Sequence, residues 1–185
     1  MTLIDLAFAL FALLATPGPT NTLLALAGAQ GVRRPYLLPF AELSAYLATV
    51  IPLSLWGHGW LAAVPGLRTG LTLAAALWVG ALAIRLWRQS TRPEGQGAPT
   101  VTARQVAVTT LLNPKALVFG LVLIPEGPDV LSGLVLFAGL IVVVSLGWLA
   151  LGARFSGRMA PLVNRGGAIW LGVLAALLLG RLLTA

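Results

Sequence analysis

Thr16-Pro17-Gly18-Pro19-Thr20-Asn21 interrupts an otherwise apolar run that extends from Leu3 to Ala29. A helix does not continue through two prolines flanking a glycine. Each proline lacks an amide donor and its ring clashes with the preceding turn, while Gly18 accepts backbone angles that other residues avoid. Inside a lipid bilayer each freed backbone group carries a large cost unless protein, water or a ligand satisfies it. A second interruption, Asn113-Pro114-Lys115, stands inside the apolar run from Val106 to Ile124. Broken helices at corresponding positions in the two halves of a chain point to a transporter's binding site.

The composition agrees with a membrane setting. The chain has 185 residues, 58% of them hydrophobic and only 9% charged, and its mean hydropathy is +0.94. Several apolar runs approach the length of a membrane span, which excludes a soluble domain and makes the lipid bilayer the first partner. There is no cysteine and a single histidine, His58. With no acid cluster at ligand spacing, neither a metal nor a cofactor is expected, and His58 reads as a loop or interface residue. No Ser/His/Asp set or carboxylate pair emerges, so an enzyme is not expected. The start, Met1 to Asp5, has no basic n-region, and a cleaved signal peptide is not expected. A net charge of +7 would suggest nucleic acid in a soluble chain. Here the arginines cluster between apolar runs, as topology determinants do, so no nucleic-acid partner is expected.

Six hydrophobic segments follow from the pattern: Leu3–Gln30 (interrupted), Tyr36–Trp56, Leu67–Leu86, Val106–Ile124 (interrupted), Val130–Ala153 and Ala168–Leu183. The last is short and would need Arg181 to snorkel. The polar stretch Gln89 to Thr102 divides the chain into halves of three segments. An odd number per half makes the second half enter the membrane from the opposite side, the arrangement of an inverted repeat. The expected fold is therefore an all-α polytopic membrane protein. It would have six transmembrane helices in one domain, 1–185, built as two inverted repeats of three, the first helix of each broken at a proline motif. Repeat 1 covers 1–90, the linker 89–103 and repeat 2 104–185.

Arginines fix the expected orientation. The first, third and fifth connections carry Arg33 and Arg34, then Arg85, Arg88, Arg92 and Arg104, then Arg154, Arg158 and Arg165. The second has only Arg68 and the fourth none, so the odd connections belong in the cytoplasm. Both termini then face out; if the first segment re-enters without crossing, the N-terminus lies inside with five crossings. Trp56, Trp60, Trp87 and Trp170 fall where interface anchors would, whereas Trp78 and Trp148 lie deeper and read as packing residues. Gly172, Ala176 and Gly180 share one helical face, suited either to packing within the chain or to a homodimer.

Two ionisable residues stand clearly within spans, Glu42 and Lys115, and such groups are functional by default. Glu42 is either a structural partner for a base or a carboxylate that titrates a proton or binds an ammonium. Lys115 snorkels, holds a substrate carboxylate or neutralises Glu42. A half-helix beginning near Thr20 would aim unpaired amides and a positive dipole end at an anion. Thr20, Asn21 and Asn113 are short polar residues of the kind that cap or bind there. The expected substrate site is thus Pro17, Gly18, Pro19, Thr20 and Asn21 together with Asn113, Pro114 and Lys115, with Glu42 as the coupling acid. The readings left open beside transport of this kind are a six-span carrier of a small cation or other solute, and a membrane scaffold that transports nothing.

These residues resemble the LysE/RhtB family of amino-acid exporters. The likeness rests on Ala15-Thr16-Pro17-Gly18-Pro19-Thr20-Asn21-Thr22-Leu23-Leu24, the basic loop Gly31-Val32-Arg33-Arg34, and Leu111-Leu112-Asn113-Pro114-Lys115-Ala116-Leu117-Val118-Phe119 ending in Leu123-Ile124-Pro125. It covers essentially the whole chain. The resemblance implies export of amino acids or related small metabolites across the bacterial cytoplasmic (inner) membrane, driven by an ion gradient, with a small-molecule substrate as partner. The chain departs from the family pattern at Thr20, which intervenes before Asn21, and at Glu42, where the family often has Asp. Pro52 and Pro125-Glu126-Gly127-Pro128 are departures too.

Overall fold

The computed structural model describes residues 2–63, 66–90, 100–113, 115–125, 127–155 and 160–183. Every regular element among them is helical. The first apolar run forms α1 (Leu3–Ala15) and α2 (Pro19–Ala29), which meet at 64°. Local chemistry sets their ends. Thr2 and Asp5 cap α1 reciprocally, the Asp5 amide donating to the Thr2 hydroxyl at 3.2 Å and the Thr2 amide to the Asp5 carboxylate at 3.0 Å. Gly18 is fully extended at the N-cap of α2, and Pro19 takes the first helical position, where its missing amide has no partner to lose. Gly31, at φ +60°, closes α2. Its amide donates to Gly28 O at 3.2 Å and that of Val32 to Ala27 O at 3.3 Å, a Schellman stop that needs the left-handed residue.

Helix α3 (Leu37–Ala63) continues through Pro52 and places His58, read as a loop or interface residue, within a helix. α4 is Leu67–Ser90. At the second interruption α5 (Ala103–Leu111), capped by Thr102 and Gln105, stops. The chain resumes as α6 (Lys115–Val118) and widens into a π turn, Phe119–Leu123. The helical stretch Lys115–Leu123 is bent by 56° from α5. Pro114 lies outside the described residues, as do residues 91–99 of the expected linker. After a 3-10 turn at Gly127–Asp129, α7 (Val130–Ala153) has the bounds read from the sequence. α8 (Ala160–Leu183) starts at Ala160, not near Ala168, and has 24 residues, while its apolar stretch, Arg165–Leu177, is shorter than a span, as expected. Leu37–Gly57 and Gly127–Ala153 are each long and apolar enough to cross a membrane, and the two bent pairs raise the number of candidate spans to four.

α4 lies along α8, α2 crosses α7, α1 also rests on α7, and α5 and the π turn rest on α3. Gly80 admits Ala175 into the α4–α8 seam; a Cβ built on it would stand 3.8 Å from that of Ala175. The seam buries Ala76, Val79, Ala83, Ala168 and Leu171. The small-residue stripe faces elsewhere, for a Cβ on Gly172 meets nothing within 4 Å and Ala176 is exposed. Where α2 crosses α7 there is no room for side chains. A Cβ on Gly152 would stand 2.6 Å from the Ala25 carbonyl carbon, and one on Gly28 would stand 2.9 Å from the Ala153 amide nitrogen. Trp56, Trp87 and Trp170 are exposed, whereas Trp78 and Trp148 pack against the apolar core. Gln30 accepts from the Val101 amide at 2.9 Å, tying the end of α2 to the approach to α5.

Candidate functional site

A helix ends with four backbone carbonyls that have no partner within it. At the end of α1 these carbonyls are met by groups from both breaks. Asn21, in the first turn of α2, donates its amide to Leu14 O at 2.7 Å and to Thr16 O at 3.0 Å. The Thr16 hydroxyl turns back to Ala12 O at 2.7 Å. From the second break the Lys115 ammonium reaches Leu13 O at 2.8 Å and Thr16 O at 2.6 Å. A cation there also meets the negative end of the α1 dipole.

Beside this clamp the breaks touch through side chains. Asn113 donates to the Tyr46 hydroxyl at 3.1 Å and to the Thr20 hydroxyl at 3.4 Å. The Thr20 and Thr110 hydroxyls lie 3.3 Å apart. The last two separations are at the long end of hydrogen bonding. The Asn113 carbonyl oxygen accepts from the Lys115 amide at 3.1 Å, which caps the restarting helix. Tyr46 is held by its ring as well, edge-on to Phe119 and Phe137 at centroid separations of 5.5 and 5.6 Å. Thr20, Thr110 and Asn113 are all buried.

Glu42 stands one turn before Tyr46 on the same face of α3 and is 3% exposed. Its partner is Ser145 of α7, whose hydroxyl is hydrogen-bonded to the carboxyl group and also lies 2.6 Å from Ile141 O. A serine hydroxyl carries one proton and serves one acceptor at a time. When it serves Ile141 O, the carboxyl must bring its own proton to Ser145. When it serves Glu42, the carboxylate can be bare. The Glu42–Ser145 pair therefore has two arrangements that differ by one proton.

Among the expected site residues, Thr20, Asn21, Asn113 and Lys115 come together at the breaks. Gly18 and Pro19 are buried there as backbone, and Pro17 is exposed. Among the described residues Lys115 and Glu42 form no close ion pair: the Lys115 ammonium lies on α1 carbonyls and acts on Glu42 only through its field. Sequence reasoning passed over Tyr46, Thr110 and Ser145 as partners. Of these only Ser145 carried a plain signal, as the one polar side chain deep in the apolar run from Gly133 to Ala153. A groove of 350 Å³ adjoins the first break from the side of α8, between Pro17, Thr22, Leu26, Trp148, Gly167 and Trp170. A larger one of 930 Å³ runs between α1 and α7, lined by Phe8, Phe11, Leu131 and Val135. It lies away from the buried polar groups, and its apolar walls suit lipid chains.

Replacing Asn21 with alanine leaves Leu14 O without its side-chain donor and Thr16 O with one fewer. A loss of about 1–3 kcal/mol is expected. Thermal unfolding in detergent should show it as a melting temperature lower by about 2–4 °C per kcal/mol. An unchanged melting temperature would mean that this clamp does not hold the break.

A family model, described as LysE type translocator, matches residues 11–182. No curated protein and no solved structure matches the chain.

Proposed function

This chain belongs to the LysE type translocator family, and from that premise we propose that it exports amino acids or closely related small metabolites across the bacterial cytoplasmic membrane. The observation that carries this reading is the convergence of the two breaks: Asn113 reaches Thr20, and Lys115 reaches the end of α1. A span kinked only for packing needs no more than its own caps. Here each break supplies polar groups to the other, at the place where a carrier with broken helices holds its cargo. The half-helix ends about Thr20–Asn21 and Asn113–Lys115 receive the cargo's carboxylate. Glu42, with its two proton arrangements, receives the ammonium or the counter-transported proton.

Six spans in two inverted repeats, working by alternating access, fit this reading. Several of the helix contacts exchange in pairs: α1 rests on α7 as α5 rests on α3, α2 on α7 as the π turn on α3, and α4 on α8. The spacing from Pro19 to Pro114 recurs from Gly57 to Gly152 and from Gly80 to Ala175. A Cβ built on Gly80 would meet that of Ala175 at 3.8 Å, as two equivalent positions do where a two-fold axis passes between them. Under this layout the arginine-rich odd connections face the cytoplasm.

The test is the build-up of amino acids in bacteria fed a panel of dipeptides, with and without the protein. A lower internal level of one or a few amino acids, only in cells that carry it, is the expected result. No difference for any amino acid, with the protein verified in the membrane, would remove amino acids as the cargo.

A further inference from the structure

We propose that the carbonyl end of α1 is the seat of the cargo's ammonium group, and that Lys115 fills it as a tethered stand-in while no cargo is bound. The proposal rests on the export reading and divides its labour differently. The α1 carbonyls take the ammonium, the displaced Lys115 takes the carboxylate, and Glu42 is left to the proton.

The geometry is that of a site for a primary ammonium. Leu13 O and Thr16 O stand 2.8 and 2.6 Å from the Lys115 nitrogen, so two of its three N–H donors are matched by acceptors. Asn21 donates to Leu14 O and also to Thr16 O at 3.0 Å, so it shares the second acceptor and fixes the neighbouring wall of the seat. The dipole of α1 adds its negative end at the same place. Gly18 borders the occupant: a Cβ there would stand 3.4 Å from the ammonium nitrogen, in ordinary contact. Thr16 is exposed and Lys115 half-buried, so the seat opens outward from the buried core.

The occupant comes from the other break, on a flexible four-carbon stem, and can leave without unwinding α1. Carbonyls at a helix end cannot stay bare within a membrane. A carrier whose empty seat exposed them would resist resetting. Lysine removes that difficulty because its ammonium is chemically the group that an amino acid brings. Exchange of like for like is close to neutral, so cargo can both load and leave. The class of ligand is a compact primary ammonium, borne by the α-carbon or by a side chain.

The test uses the full chain in detergent with methylammonium as probe and tetramethylammonium as the control of equal charge without an N–H group. In K115A the seat is empty, and saturating methylammonium should raise the melting temperature by about 2–4 °C. Tetramethylammonium should not. Failure of methylammonium to raise it above the control overturns the proposal. Should K115A not fold, the wild-type protein supplies the measurement, because Lys115 is its single lysine. Lysine labelled with carbon-13 then gives one Cε resonance. Methylammonium above the effective concentration of the tethered group, roughly millimolar, should shift that resonance and tetramethylammonium should leave it in place; a resonance that methylammonium does not move overturns the proposal. Stabilisation by methylammonium upholds the seat whether or not the dipeptide assay finds export, and its absence overturns the seat even where that assay succeeds.

Discussion

Gly152→Ala should lower the melting temperature sharply. The added Cβ would fall inside the Ala25 carbonyl group, 2.6 Å from its carbon and 2.8 Å from the Ala25 Cα. Both are backbone atoms of a helix that cannot rotate out of the way. The alternative is for α2 and α7 to part, which pulls α2 off the helix that carries Ser145 and loosens the breaks. Overpacking at side chains typically costs about 1–3 kcal/mol, and against backbone the upper end or more is expected. In thermal unfolding that is a fall of about 6–12 °C. Gly28→Ala strikes the same crossing from the other helix, close to the Leu149 carbonyl. Once either substitution has separated the helices, the second finds room, so the double variant should lose much less than the sum of the two. Full additivity, or a Gly152→Ala protein that melts with the wild type, would refute the crossing as described.

Glu42→Gln should abolish export while leaving the protein folded. Glutamine keeps the shape of the carboxyl group and can donate permanently to Ser145, which matches the arrangement in which Ser145 serves Ile141 O. What it cannot do is lose a proton. A carrier that needs both arrangements then stops in one of them, and amino-acid export in the dipeptide assay should fall to the vector background, a loss of at least about tenfold in rate for a residue that carries coupling. Membrane content and melting temperature should stay near the wild-type values. Export at the wild-type rate from a verified Glu42→Gln protein would take Glu42 out of the transport cycle.

The two breaks were legible because their cause is local. A missing amide and a ring clash act on the same few residues in any surroundings, and the helices do stop at Ala15 and Leu111. Glu42 and Lys115 were legible as charges in apolar runs. Their partners were not. Leu13, Leu14 and Thr16 act through backbone carbonyls, which every residue possesses, so the sequence carries no mark of them. Tyr46 and Ser44 both neighbour Glu42 in the chain, and helix phase alone decides between them. Four residues on is the same face, and two residues on is nearly opposite; Tyr46 is buried and Ser44 exposed. The start of α8 was missed for another reason. Pro161, Asn164, Arg165, Gly166 and Gly167 read as a connection, yet proline is tolerated in the first turn of a helix, where its absent amide has no bond to make. Pro52 misleads less, since a membrane helix can run through a proline when its neighbours satisfy the freed carbonyl.

The α4–α8 seam has a consequence for the order in which the chain is made. Its two faces belong to residues 67–90 and 160–183, and nearly the whole intervening sequence must leave the ribosome before they can meet. Until then Ala76, Val79 and Ala83 have no α8 to rest on and face lipid or a chaperone. Contacts between distant parts of a chain form late, and the surface awaiting them is where quality control acts. A nascent chain halted before Ala160 would therefore hold both broken spans and the buried acid, yet lack the helix against which its first half closes.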